Sequence, residues 1–213
     1  MTNNNSPIAV EGVPFIAVAG GLTLLCAAIH WQAAAICLLA ITLFIVFFFR
    51  NPRRNTPADE RAVIAPADGV IVYLGPASEE HLAQECLKIS IFMSVFNVHI
   101  NRAPLTGTVV DAFHVSGKFL DVRDERATFE NERSGIVLET VDKARIVVVQ
   151  VAGLVARRIV CYLRTGDSIE RGQRYGLIRF GSRLDVYLPP GTDLKVKMGD
   201  KTVSGETILG YLA

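Results

Sequence analysis

Residues 166–173 read GDSIERGQ, and residues 199–206 read GDKTVSGE. Each stretch opens with Gly-Asp and places another glycine six positions after the first one. Glycine and aspartate favour turns, because glycine adopts positive φ without steric cost and aspartate bonds to nearby backbone amides. This rhythm is typical of the turns in barrel-sandwich β domains. It indicates that two similar hairpins pack together, and it bears on fold alone.

The chain around these two stretches, from Pro57 onward, is made of short β-branched runs broken by Gly, Pro and Asp. Such runs, bounded by turn residues, predict strands. We find no long 3.6-residue periodicity in this region. The sequence therefore predicts a mainly β fold, with a barrel-sandwich-like β domain over residues 58–213. The clearest strand runs are residues 69–74, 87–92, 107–110, 135–140 and 145–151.

The N-terminal part of the chain is apolar, and no side chain from Gly12 to Phe49 carries a fixed charge. The polar residues His30, Trp31 and Gln32 interrupt this run in the middle. One interpretation is a single long membrane span. The other, which we favour, is a helical hairpin over residues 13–29 and 33–49, since each half is close to the lower limit of about 17 residues for a span. We predict that residues 1–57 form a membrane anchor with a basic flank.

Three arginines, Arg50, Arg53 and Arg54, follow the apolar run directly. Basic residues beside an apolar segment mark the cytoplasmic side of a membrane. The same arginines could also hold anionic lipid head groups. We therefore expect a cell-membrane protein whose β domain lies on the cytoplasmic side.

The bulk composition excludes several classes of protein. The formal net charge is +1, so we expect no nucleic-acid partner. The four cysteines form no C-x-x-C pair, which argues against a disulfide framework and suits a reducing compartment. The four histidines show no H-x-H or H-x-x-x-H spacing, so no metal site is expected.

Three places in the β domain have residues that could carry chemistry. Asp68 lies in the segment APADG (65–69), His99 in FNVHINRAP (96–104), and Ser182 follows Gly181 between two apolar runs. Each also has an ordinary structural interpretation. Asp-Gly and Gly-Ser are common in turns, and a histidine at the end of a buried strand is often a hydrogen-bonded structural residue.

The order of these segments resembles the phosphatidylserine decarboxylase family, particularly its short-chain bacterial members. Two departures stand out: Phe96 replaces a second histidine of longer relatives, and Arg183 stands where they have threonine after Gly-Ser. The similar segments are FFRNPRR (48–54), PADG (66–69), FNVHINRAP (96–104), NER (131–133), VAGLVARRI (151–159) and FGS (180–182).

The resemblance implies a self-processing enzyme that converts phosphatidylserine to phosphatidylethanolamine and CO2. The chain would be cut between Gly181 and Ser182, and Ser182 would become a covalent pyruvoyl group that forms a Schiff base with the lipid amine. His99 would act as the base and Asp68 would orient it, as in a Ser-His-Asp triad. The fragments 1–181 and 182–213 would stay associated. Arg183 either pairs with the lipid phosphate or is a strand-surface charge.

Two other functions fit parts of the sequence. A membrane-tethered carrier resembling lipoyl or biotinyl domains would need a modifiable lysine at a hairpin tip, and Lys197 before Met198 is the candidate. Too little chain follows this lysine for the usual arrangement. A membrane serine hydrolase would need a G-x-S-x-G elbow, which the sequence lacks.

Overall fold

The structure is a computed structural model, and it describes residues 6–82, 85–124, 126–154, 158–179 and 181–212. The chain divides between Arg53 and Arg54 into two compact units, a helical unit before this point and a β unit after it. Most of the described secondary structure is strand, as the sequence predicts.

The helical unit consists of two antiparallel apolar helices, α1 (Val13–Ala28) and α2 (Gln32–Phe48), preceded by a 3-10 turn at Val10–Gly12. His30 has a φ of 62° in the short turn between them. The hydroxyls of Thr23 and Thr42 lie 3.3 Å apart and join the helices midway. This is the hairpin alternative. The helical segment Val10–Ala28 is long and apolar enough to cross a membrane, whereas Gln32–Phe48 is apolar but shorter.

The β unit contains one large curled sheet and two small ones. The large sheet has eight antiparallel strands in the order β13-β2-β3-β11-β7-β6-β5-β9, and the small sheets are β1-β14-β12 and β4-β10-β8. A short helix, α3 (Ala127–Glu130), precedes β6. The strands are β1 (Ala62–Ile64), β2 (Gly69–Ser78), β3 (Glu85–Met93), β4 (Ile100–Arg102), β5 (Gly107–Val115), β6 (Arg133–Glu139), β7 (Arg145–Ala152), β8 (Ile159–Cys161), β9 (Ser168–Ile169), β10 (Arg174–Ile178), β11 (Ser182–Leu188), β12 (Asp193–Leu194), β13 (Lys201–Thr202) and β14 (Ile208–Tyr211).

The two Gly-Asp stretches lead into β9 and β13, which form the two opposite edges of the large sheet. All four glycines of the motif have positive φ, from 78° at Gly172 to 96° at Gly166, as the sequence predicts. Each turn exchanges two backbone hydrogen bonds with one residue of a long strand. The bonds are Gly166 N to Val109 O and Val109 N to Asp167 O, both 2.8 Å, and Gly199 N to Ile71 O and Ile71 N to Asp200 O, both 2.9 Å.

The internal repeat extends to the segments that precede β2 and β5. Residues 65–69 (APADG) and 103–107 (APLTG) take equivalent places, because Ala65 O accepts from Gly205 N and Ala103 O accepts from Gly172 N, both at 2.8 Å. Asp68 in the first segment therefore corresponds to Thr106 in the second. The sheet is thus built from two similar halves that meet where β11 pairs with β7.

The central strand β11 has two chemically different faces, because side chains alternate along a strand. Leu184, Val186 and Leu188 belong to the main apolar core, together with residues of β3. The side chains between them point to the opposite face, where Tyr187 packs in a second cluster that includes valines of β7. Ser182 starts the first series and Arg183 the second.

Candidate functional site

Ser182 is the first residue of β11 and is fully buried. Its backbone pairs with Met93 on one side and Ala152 on the other, so the serine is fixed at the end of a central strand. Its hydroxyl donates to the Met93 sulfur at 3.4 Å, and a thioether is a weak acceptor. As a donor, the Ser182 hydroxyl therefore makes only this weak hydrogen bond.

Gly181 has a φ of 66°, in the region that favours glycine. Any other residue at position 181 would be strained. The glycine therefore permits the backbone conformation of the residue directly before Ser182. Its carbonyl lies against a second glycine. A Cβ on Gly153 would collide with the Gly181 carbonyl oxygen and lie 3.0 Å from the carbonyl carbon. Gly153 thus allows a close backbone approach to the carbonyl that precedes Ser182.

His99 is also buried, with 1% of its surface exposed, directly before β4. Its Nδ1 lies 3.0 Å from the Asn97 carbonyl oxygen. Because a carbonyl only accepts, Nδ1 donates, and in the neutral ring Nε2 then carries the lone pair. This tautomer suits a base. The His99 carbonyl accepts from Ile178 N at 3.4 Å, which ties the histidine to β10, the strand that leads to the Gly181-Ser182 bond.

A buried polar network joins the strands that carry His99 and Ser182. The Met93 sulfur accepts from Ser182 and also lies 3.8 Å from Nδ2 of Asn101, two residues after the histidine. Asn101 in turn accepts from Gln150 Nε2 at 2.8 Å. All three side chains are almost fully buried, so their hydrogen bonds fix the relative positions of β3, β4 and β7.

Asp68 lies in the turn before β2, and its carboxylate accepts three hydrogen bonds. Arg54 Nη2 donates to both oxygens, at 3.0 and 2.8 Å, and Ser204 N donates to Oδ1 at 2.7 Å. The Ser204 hydroxyl lies 3.5 Å from the Ile100 carbonyl, next to His99. A path from Asp68 to the histidine strand therefore runs through Ser204. The orienting role of Asp68 stays a prediction.

Arg183 is 4% exposed, and its guanidinium is held by protein groups. It forms a two-point ion pair with Asp185, at 2.8 and 2.9 Å, and also donates to Val122 O and Thr128 Oγ1, both at 2.7 Å. Arg183 thus fastens the segment around α3 to the sheet. Its burial shows that Arg183 is not a strand-surface charge, and pairing of Arg183 with a lipid phosphate stays a prediction.

Several residues of this region have roles that the sequence did not indicate. In the sequence, Arg54 is interpreted as part of the basic membrane flank. In the structure it pairs with Asp68, and the backbone amide of Ser204 donates to the same carboxylate. Asn131 Nδ2 donates to the Ala152 carbonyl at 2.8 Å and so supports the residue that pairs with Ser182. Asn131 lies in the quoted segment NER (131–133), and that segment is the one signal that could have identified it.

A group of possible metal ligands lies away from these residues. Within the described part of the chain, Glu79, Glu80 and His81 each place one ligand atom within 4.8 Å of the others. His81 already bonds to Glu79 at 2.8 Å and stacks on Phe113. Exposed acidic groups of this kind are common on surfaces. The four cysteines are free thiols.

Comparison with known proteins identifies the family. A family model described as phosphatidylserine decarboxylase matches residues 41–210. A phosphatidylserine decarboxylase proenzyme of Geotalea uraniireducens is 66% identical over 212 residues, covering 100% of both chains. The proenzyme of Geobacter sulfurreducens is also 66% identical, and that of Syntrophotalea carbinolica is 51% identical, each with 100% of both chains covered. The chain therefore belongs to the phosphatidylserine decarboxylase family.

Proposed function

We propose that this enzyme decarboxylates phosphatidylserine to phosphatidylethanolamine and CO2, using a pyruvoyl group that it makes from Ser182. The main support for the proposal is the burial of Ser182 in the uncut chain. The serine is fully buried at the end of a central strand, directly after a glycine with positive φ. A lipid cannot reach this residue while the chain is intact, as expected for a precursor that must cut itself first.

The cut requires a defined sequence of bond changes at Gly181-Ser182. Ser182 Oγ attacks the Gly181 carbonyl carbon, and the C–N bond breaks, so an ester replaces the amide. Loss of the Cα proton of Ser182 then expels the Gly181 carboxylate and leaves dehydroalanine. Water adds to the corresponding imine and releases ammonia, which leaves a pyruvoyl group at the start of fragment 182–213.

Three residues support this cut. A serine is a weak nucleophile at its ordinary pKa and needs a base nearby, for which His99 has the suitable tautomer. The Asp68 carboxylate, neutralised by Arg54, would orient or stabilise the charged histidine through the Ser204 region. Gly153 leaves the space in which the Gly181 carbonyl lies, and it therefore helps to fix the direction of attack.

The residues present fit a pyruvoyl group at position 182, because this position pairs with Met93 on one side and with Ala152 on the other. The group supplies an electron sink for the negative charge that develops at Cα of the substrate when CO2 leaves. His99 would move a proton in this step, and its burial would limit the access of water to the developing charge. The new carboxylate of Gly181 would have to move away from position 182 before the lipid could reach the pyruvoyl group.

The helical unit would hold the enzyme at its substrate. Large apolar side chains are exposed along both helices, for example Leu24 at 72%, Ile36 at 68% and Leu43 at 60%. A contiguous surface of this kind is unfavourable in water and favourable in lipid. We propose that the hairpin inserts into the cell membrane. Arg50 and Arg53 would keep the β unit on the cytoplasmic side.

Reductive trapping tests the proposal. With cyanoborohydride and labelled phosphatidylserine, the lipid amine should become linked to fragment 182–213 of the purified enzyme, without added metal or pyridoxal phosphate. Ser182→Ala should stay uncut and unlabelled, whereas Ser168→Ala, a matched serine at an exposed strand position, should behave as the wild type. Labelling of a lysine in residues 1–181 would contradict the proposal.

A further inference from the structure

A cavity of about 750 Å³ lies beside the sheet, on the face of β11 opposite to Ser182. Lys88, Ser90, Arg183 and Tyr187 belong to its lining, and they come from the neighbouring strands β3 and β11. The alternation of side chains along β11 separates this cavity from the serine. It therefore belongs to none of the catalytic steps described above.

The floor of the cavity has an excess of positive charge. Lys88 Nζ lies 3.2 Å from Asp185 Oδ2, and Arg183 contacts both oxygens of the same carboxylate. Two cations thus share one anion, and all three residues are less than a tenth exposed. Glu79, which lines an adjoining pocket together with Tyr187, is bonded to His81. Arg123 at the rim is paired with Asp121.

A buried cation without its own counter-charge is unfavourable, since removal from water is not offset. Burial lowers the pKa of Lys88, and repulsion from Arg183 lowers it further, while Asp185 opposes both. An anion bound in the cavity would supply the negative charge that Lys88 and Arg183 lack.

Ser90 is a second and independent observation. It is 1% exposed, lines the cavity, and its hydroxyl has no hydrogen-bond partner among the described atoms. Buried hydroxyls normally have partners. Ser90 lies two residues from Lys88 on the same face of β3, so one ligand oxygen could accept from the hydroxyl and another from the ammonium. Lysine is a common partner of phosphate groups.

We propose that this cavity binds a phosphate group, with Lys88 and Ser90 as direct donors and Arg183 adding to the positive field. The cavity is much larger than a free phosphate ion, and the side chains at its mouth include Tyr73 and Phe129, which are 39% and 77% exposed. A phosphate ester with an apolar part, such as an acidic phospholipid, would fill this space. Inorganic phosphate is the other source of the same chemistry.

Calorimetric unfolding of the purified enzyme, with its two fragments associated, in neutral detergent tests this site. At constant ionic strength, inorganic phosphate or a short-chain phosphatidylglycerol should raise the Tm of the β unit in a saturable way. Lys88→Met should abolish the shift. The variant should still fold, because Asp185 keeps Arg183 as its partner. Ser90→Ala should weaken binding about tenfold, as expected for a lost hydrogen bond to a charged group.

The matched control is Lys195→Met, which removes an exposed lysine paired with Asp193 and should leave the shift intact. A shift with phosphatidylglycerol that inorganic phosphate does not reproduce identifies a lipid as the source, and a shift with both identifies the phosphate group alone. The proposal is overturned if neither probe shifts the Tm of the wild type, or if Lys88→Met and Lys195→Met respond equally.

Discussion

The two halves of the large sheet share a backbone frame but differ at one position. Asp68 in the first half and Thr106 in the second each accept from a backbone amide, that of Ser204 at 2.7 Å and that of Arg171 at 3.1 Å. A neutral hydroxyl is therefore sufficient to close this turn. The first half has a carboxylate instead, together with Arg54 as its counter-charge. The proposed role of Asp68 in self-cleavage would account for this charge in the first half.

The largest effect is expected from paired substitutions at this position. Asp68→Asn keeps an acceptor for the Ser204 amide but removes the charge, so self-cleavage should slow by about a hundredfold or more. Thr106→Val removes the acceptor of the other half and should cost about 1 kcal/mol of unfolding free energy while cleavage continues. Time courses of cleavage and denaturant unfolding measure both. Equal cleavage rates in the two variants would remove the distinction between the halves.

A smaller effect is expected at the two arginines that belong to these turns. Arg54→Gln should slow cleavage about tenfold, since Asp68 loses its counter-charge. Arg171 instead donates to the carbonyls of Pro57, Asp59 and Ala62, which are structural contacts. Arg171→Gln should lower the unfolding free energy by about 2 kcal/mol and leave the cleavage rate of the folded protein unchanged. The reverse assignment of the two effects would show that the first half is the structural one.

The smallest effect is expected where the halves are alike. Gly166 and Gly199 have φ of 96° and 86°, and a Cβ at either position meets nothing within 4 Å. Gly166→Ala and Gly199→Ala should each cost about 1 kcal/mol from backbone strain alone. Chemical denaturation measures this cost, and cleavage should be unaffected in both variants. If the unfolding free energies lost in the two variants differed by well more than the error of the measurement, the two turns would not be equivalent.

The sequence predicts the parts of the molecule that local patterns specify. The β class, the hairpin of apolar helices and the positive φ of the repeated glycines all follow from residue types at fixed spacings. The equivalence of Asp68 and Thr106 does not, because the two residues differ and only the tertiary hydrogen bonds align them. The close approach of Gly153 to Gly181 is likewise a contact between distant segments.

In the candidate site, too, local motifs are predictable from the sequence and contacts between distant segments are not. Ser182, His99 and Asp68 were identified by motif, but the Arg54 partner was hidden by its place beside the apolar run, where a membrane flank is the usual interpretation. Ser90 was missed because nothing in the run from 87 to 92 separates a buried hydroxyl from an ordinary strand residue. Which buried charges and hydroxyls have partners depends on how the strands pair, and the sequence does not give that pairing.

Intact-mass measurement of the purified enzyme decides whether Ser182 becomes a pyruvoyl group, because the masses report the cut and the new end group together. We expect two species, residues 1–181 and residues 182–213, with the small fragment lighter by one ammonia than simple hydrolysis would leave it. That fragment should also resist N-terminal Edman degradation, since it has no amine. A full-length chain with full decarboxylase activity, or a small fragment that begins with an intact serine, would rule out a pyruvoyl group made from Ser182.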